Sequence, residues 1–190
     1  MSLLDAAEKL FQERGYHAVS LMDIATEAQM TLSSVQTHYP DKQDLLLELL
    51  ERYSPRQPLR QIFRQIKGND PEYLVRDLFM RLITSMEEHP RFLEYALLDV
   101  QVNQASYLTS LMTEIAGDAA LFINRLSSLP GVRPLSSVML GRAFAALVIG
   151  FVATQQFAPR AARFAMRIFP EKAWIDGVVD IFLYGILESE

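Results

Sequence analysis

Paired capping signals crowd the first 42 residues and leave room only for short helices. Ser2 with Asp5, and Ser20 with Asp23, set a hydroxyl three residues ahead of a carboxylate. The hydroxyl takes up orphan backbone N–H groups, and the acid sits near the positive end of the helix dipole. Gly15 and Pro40 act as stops. Helices are therefore predicted from Leu3 to Arg14, from Leu21 to about Ala28 and from just after Thr31 to the approach of Pro40; Asp41 can cap a fourth, Lys42 to about Tyr53. Leu3, Ala7, Leu10 and Phe11 share a face of the first helix, and Leu21, Ile24, Ala25 and Ala28 are the buried set of the second. On the third, Leu32, Val35 and Tyr39 point inward while Ser33, Ser34, Gln36 and Thr37 point out.

Two short helices joined by a tight turn, with small polar side chains along the second, are how a protein presents a helix to the major groove of DNA. Ala25, Gln29 and Val35 fall where such a helix-turn-helix needs a small residue for close helix contact, a turn residue and an apolar anchor. With AAEKLFQERGY ahead and HYPDKQDLLLELL behind, the stretch resembles the amino-terminal DNA-binding domain of the TetR family of transcriptional repressors. The likeness covers roughly the first 50 residues in detail and the remainder only in architecture. It implies that Ser20 and Thr31 meet phosphates from helix starts, that Ser33, Ser34 and Thr37 face base edges or phosphates, and that His38 lies beside the DNA backbone. It further implies that Lys42 adds its charge to the dipole of its helix at a phosphate. Gln36 and Tyr39 complete the expected DNA-binding set. Three positions depart from the family pattern: Gln29 stands at the usual turn glycine, Gln36 at a usual phosphate-binding tyrosine and Leu32 at a common lysine. A left-handed backbone at Gln29 would cost roughly 1–2 kcal/mol.

Charge runs against this chemistry. From Met1 to Leu50 three Lys or Arg (Lys9, Arg14, Lys42) face eight Asp or Glu, a local charge of 3 − 8 = −5, equal to that of the whole protein. A DNA reader normally carries the opposite sign there. Met1-Ser2-Leu3 runs so directly into the first helix that a natural start trimmed or replaced stays open, and a basic arm ahead of it would not show.

Beyond Tyr53 the pattern stays helical. The predicted helices are Leu59 to Lys67, Pro71 to about Glu88, Pro90 to about Val102, Ser106 to Leu126, Leu135 to Phe157, Pro159 to Ile168, and a last one from Pro170 to Leu187. The class is all-α, an amino-terminal three-helix helix-turn-helix domain over residues 1–47 and a larger helical ligand-binding and dimerisation domain over 48–190. Leu135 to Phe157 is apolar nearly all round, and with Pro170 to Leu187 it would leave an exposed apolar patch on a monomer. A two-fold homodimer packing the pair on its copy would bury that patch and set two reading helices about one DNA turn apart, matching a palindromic operator. Phe79, Phe92, Tyr95, Tyr107, Met112, Phe122, Met139 and Phe151 are the candidate lining of an apolar pocket for an unknown small-molecule inducer, itself apolar or aromatic.

Other chemistries lack their residues. No metal-spaced His, Asp or Glu cluster, nucleophile motif or glycine-rich phosphate loop is present, so neither an enzyme, a metal nor a cofactor is expected. With no cysteine there is no disulfide framework, which suits a reducing cytoplasm. The longest apolar run, Ala143 to Ala153, is 11 residues, so no membrane span and no secretory signal are expected. Two readings follow: a dimeric, ligand-released repressor, or a dimeric helix-turn-helix relic with weak or no DNA binding that holds a small molecule or a protein.

Overall fold

Ser2, Ser20, Thr31 and Asp41 each cap a helix in the computed structural model, which describes residues 2–159, 168 and 170–186. Their side-chain oxygens accept the backbone N–H of Asp5, Asp23, Ser34 and Gln43 at 3.1–3.2 Å. The helices so started are α1 (Leu3–Arg14), α2 (Leu21–Glu27), α3 (Leu32–His38) and α4 (Lys42–Tyr53), with a 3₁₀ turn at Tyr16–Ala18. Six more follow among the described residues: α5 (Arg56–Gln65), α6 (Pro71–Glu87), α7 (Pro90–Val102), α8 (Ser106–Ser127), α9 (Ser137–Phe157) and α10 (Glu171–Ile186). The fold is all-α. Most of the helix expected at Pro159 to Ile168, and Leu187 at the end of the last, lie outside the described residues. The fifth helix starts three residues before its expected position. Pro58 falls in its first turn, where the missing N–H would have been an orphan in any case.

The chain divides into two compact units, Met1–Ser54 with His89–Met112, and Pro55–Glu88 with Thr113–Glu190. The expected boundary after residue 47 falls inside α4. In the first unit Leu45, Leu46, Leu49 and Leu50 are all fully buried, and α1 and α7 pack on α4. Ala6, Ala7, Leu10, Ile24, Ala25 and Val35 close the core over the short helices. One carboxylate joins three helices: Glu8 on α1 accepts from the Tyr53 hydroxyl of α4 at 2.7 Å and pairs with Arg91 of α7 at 2.9 Å. Tyr53 also stacks on Tyr95, ring centroids 6.0 Å apart.

The second unit is held by aromatic packing and by arginines. Phe79 meets Phe144 and Phe151 edge-on, and Phe144 meets Phe182, which joins α6, α9 and α10. Arg60 and Arg64 of α5 share Asp118 of α8, and Arg76 of α6 pairs with Asp180 of α10. Leu140, Phe144 and Phe151 form the buried stripe of α9, while Val138, Met139 and Ile149 stand exposed, as do Ile181 and Tyr184 on α10. Gly150, Gly177 and Gly185 have no neighbouring atoms where a Cβ would project. Ser137–Gln156 is long and apolar enough, by length and composition, to cross a membrane, with mean hydropathy 1.8 and 17% of the stretch buried. The 11-residue run in the sequence understated this, because Val138, Met139 and Leu140 lie beyond its Arg142 boundary.

Among the described residues, three carboxyls are held below the usual range. The Ser2 hydroxyl, then Arg52, bring Asp5 to about 2; the Ser20 hydroxyl lowers Asp23, and the Arg64 guanidinium lowers Asp118. A depressed folded-state pKa adds stability that is present above the unfolded value, about 3.9, and lost as pH falls through the folded value. Melting temperature should therefore fall from about pH 4 towards pH 2, and Asp5→Asn should flatten that decline, as read by thermal melts across the interval.

Candidate nucleic-acid interface

Short caps and a tight turn aim α3 outward. After Glu27 the chain closes α2 with the Met30 N–H on the Ala25 carbonyl at 2.8 Å and the Gln29 N–H on that of Thr26 at 3.1 Å. This double closure requires a left-handed residue between them, and Gln29 supplies it with φ 58°. Val35, fully buried, anchors α3, with Leu32 and Tyr39 half-buried beside it. Ser33, Ser34, Gln36, Thr37 and His38 are exposed. The Thr37 hydroxyl donates to the Ser33 carbonyl at 2.9 Å, which leaves its lone pairs outward. Ser20 and Thr31 are exposed at the starts of α2 and α3, each occupied in capping its own helix.

Lys42 is placed otherwise than expected. Its ammonium donates to the carbonyls of Tyr16 and Val19, 2.8 Å each, and lies 4.4 Å from the centroid of the Tyr16 ring. The phosphate contact expected of it needs that charge in solvent, whereas the side chain is half-buried. Lys9 pairs with Glu27 at 2.6 Å, and Asp41 and Asp44 occupy the start of α4. Of the three basic residues counted up to Leu50, Arg14 is exposed at the end of α1. The outward surface of α3 is accordingly made of hydroxyls, an amide and an imidazole. Tyr16 was not among the expected site residues. Its ring is buried against Phe11 and His17, and no local periodicity joins it to a lysine 26 residues away.

Among the described residues, six of the eight candidate pocket residues are buried and two are exposed. Met112 and Met139, expected to line a pocket, are 49% and 63% exposed. Phe79 and Phe151 pack on each other, Phe122 on Phe63, Phe92 on Tyr107 and Tyr95 on Tyr53, all as core rings. An open cleft of about 470 Å³ in the first unit includes Tyr107, but Asp44, Glu48 and Glu51 give it an acidic wall. A second, of about 310 Å³ between α5 and α6, holds none of the eight.

Comparison with known proteins bears on the same residues. A sequence model of bacterial regulatory proteins of the tetR family matches residues 3–49. An uncharacterized HTH-type transcriptional regulator of Bacillus subtilis, YuxN, is 28% identical over 95 residues, 50% of this chain and 33% of that protein. The HTH-type transcriptional regulator HbdR of an Aromatoleum species is 33% identical over 70 residues, 35% of this chain and 28% of that one. The chain thus spans about a third of the length of these relatives. Among solved structures, the TetR family regulator PfmR of Thermus thermophilus superposes with a TM-score of 0.62 at 21% identity, covering 93% of each chain. The ketosteroid transcriptional regulator KstR2 of Mycobacterium tuberculosis does so with a TM-score of 0.60 at 21% identity, covering 98% of this chain and 94% of that one. At such identities the likeness is one of fold.

The strain at Gln29 is open to measurement. Gln29→Gly should raise stability by about 0.5–1 kcal/mol, the relief of a left-handed non-glycine exceeding the entropy that glycine adds to the unfolded chain. A denaturant titration in which the variant loses stability would show that the Gln29 side chain contributes more than its backbone costs.

Proposed function

From the premise that residues 3–49 are a TetR-family helix-turn-helix domain, we propose that the protein is a dimeric DNA-binding transcriptional repressor that a small-molecule ligand releases from its operator. The observation that carries the DNA-binding part is α3 itself, seated on Val35 and turned by Gln29 so that Ser33, Ser34, Gln36, Thr37 and His38 face solvent together. In this reading Ser20 and Thr31 approach phosphates at the helix starts, Ser34 and Thr37 select bases, and Tyr39 buttresses the end of α3. Hydroxyl and amide groups can hydrogen-bond to base edges and phosphates without carrying charge.

A second copy of the chain is the proposed partner of α9 and α10. Val138, Met139, Ile149, Ile181 and Tyr184 are between 63% and 85% exposed, and the open sides of Gly150, Gly177 and Gly185 admit close helix approach. The proposed ligand is apolar or aromatic, and its entry would require the ring clusters Phe63–Phe122 or Phe79–Phe144–Phe151 to part. The second reading, a relic without DNA affinity, is favoured by one observation: Lys9 pairs with Glu27 at the surface and Lys42 donates to the Tyr16 and Val19 carbonyls, so both already have partners within the first unit.

Both readings meet the same experiment. With a palindrome from upstream of the protein's own coding sequence, a specific complex should form whose log K falls with log salt at a slope shallower than about −5, fewer than six phosphates being neutralised. No complex at the lowest salt, with any natural amino-terminal arm restored, sinks the repressor reading in favour of the relic. Ile181→Glu, separately, should convert the dimer to monomer in sedimentation and leave the melting temperature of the monomer unit near that of the parent. Co-sedimentation of the parent with lipid vesicles would instead assign the α9 surface to a membrane.

A further inference from the structure

Lys42 is the first residue of α4, where a cation opposes the helix dipole and gains nothing from it. Its stabilisation comes from elsewhere. Two N–H bonds of the ammonium end on the carbonyls of Tyr16 and Val19, at opposite ends of the turn that connects α1 to α2, and the charge lies over the Tyr16 ring. That ring cannot easily yield, being 5% exposed and wedged between Phe11 and His17. The turn has two closing backbone bonds of its own, Ala18 N–H to the Gly15 carbonyl at 3.2 Å and Val19 N–H to the Tyr16 carbonyl at 3.4 Å, and the lysine adds two shorter ones. Val19 is followed directly by Ser20, the cap of α2, and Lys42 directly follows Asp41, the cap of α4. One side chain therefore joins two helix starts that lie more than twenty residues apart in the chain.

We propose that Lys42 is a positioning residue of the DNA interface: by holding the Tyr16 and Val19 carbonyls it sets the start of α2, and with it Ser20, against the start of α4, and does not itself neutralise a phosphate. The inference rests on the DNA-binding reading above for its consequence in affinity, though not for the placement of the two helix starts. It also gives an acidic amino-terminal domain a use for Lys42 other than at a phosphate: geometry, held by a half-buried ammonium, takes over part of the work of surface cations.

The experiment compares the parent with Lys42→Met, Ser20→Ala and the double variant, measuring affinity for the operator across a salt series and amide spectra of the DNA-free proteins. Lys42→Met should weaken binding about tenfold or more with an unchanged salt slope, and the penalty of Ser20→Ala should shrink in its presence, because the two residues act as a unit. A slope shallower by about 0.9 per subunit would make Lys42 a phosphate ligand and overturn the proposal. Unchanged affinity would overturn it as well. Without DNA, Lys42→Met should shift the amides of Tyr16 through Ser20 and lower the melting temperature; unaltered amides refute the positioning role whatever the DNA result. If the parent binds no DNA but the amides shift, the repressor reading fails while the link between the two helix starts stands.

Discussion

The first unit depends on the burial of four leucines. Leu45, Leu46, Leu49 and Leu50 occupy two adjacent pairs on α4, and none retains solvent exposure. Such a pattern makes a buried arc too wide for one partner helix to cover, so α4 must be enclosed from two directions. It is enclosed by α1 and by α7. At about 1.5–3 kcal/mol for each fully buried leucine, this stripe outweighs any single polar contact nearby. The helix-turn-helix is therefore no free-standing triplet, because the helix that follows it is also the platform of α7.

Polar groups refine what that burial establishes. Glu8 touches α4 and α7 at once, so a displacement of either helix must be felt on α1 through a partly buried carboxylate. Lys42 does the same between α4 and the turn before α2. Glu8, whose side chain is only 13% exposed, needs its partners the more, since an unpaired charge in such a place is costly.

Legibility in the sequence followed the range of the interactions concerned. Helix starts at Ser2, Ser20, Thr31 and Asp41 rest on bonds between residues two or three apart, and all four appear where their motifs stand. The strained turn at Gln29 was readable for the same reason, from its place between two capped helices. The start of α5 was hidden because a proline reads as a break unless it is known to lie in a first turn. Aromatic and methionine residues were the least legible. Phe122 and Met139 look alike in a list of apolar side chains, yet one is buried against Phe63 and the other stands in solvent.

By itself the amino-acid order determined the four capped helix starts at Ser2, Ser20, Thr31 and Asp41, the outward side chains Ser33, Ser34, Gln36 and Thr37, and the acidic balance of the first 50 residues, because each is settled by neighbours within one helical turn or by counting. Only tertiary structure decided where the Lys42 charge ends and which rings are core. Those outcomes turn on contacts between residues tens of positions apart, and no local preference encodes which distant partner will be there.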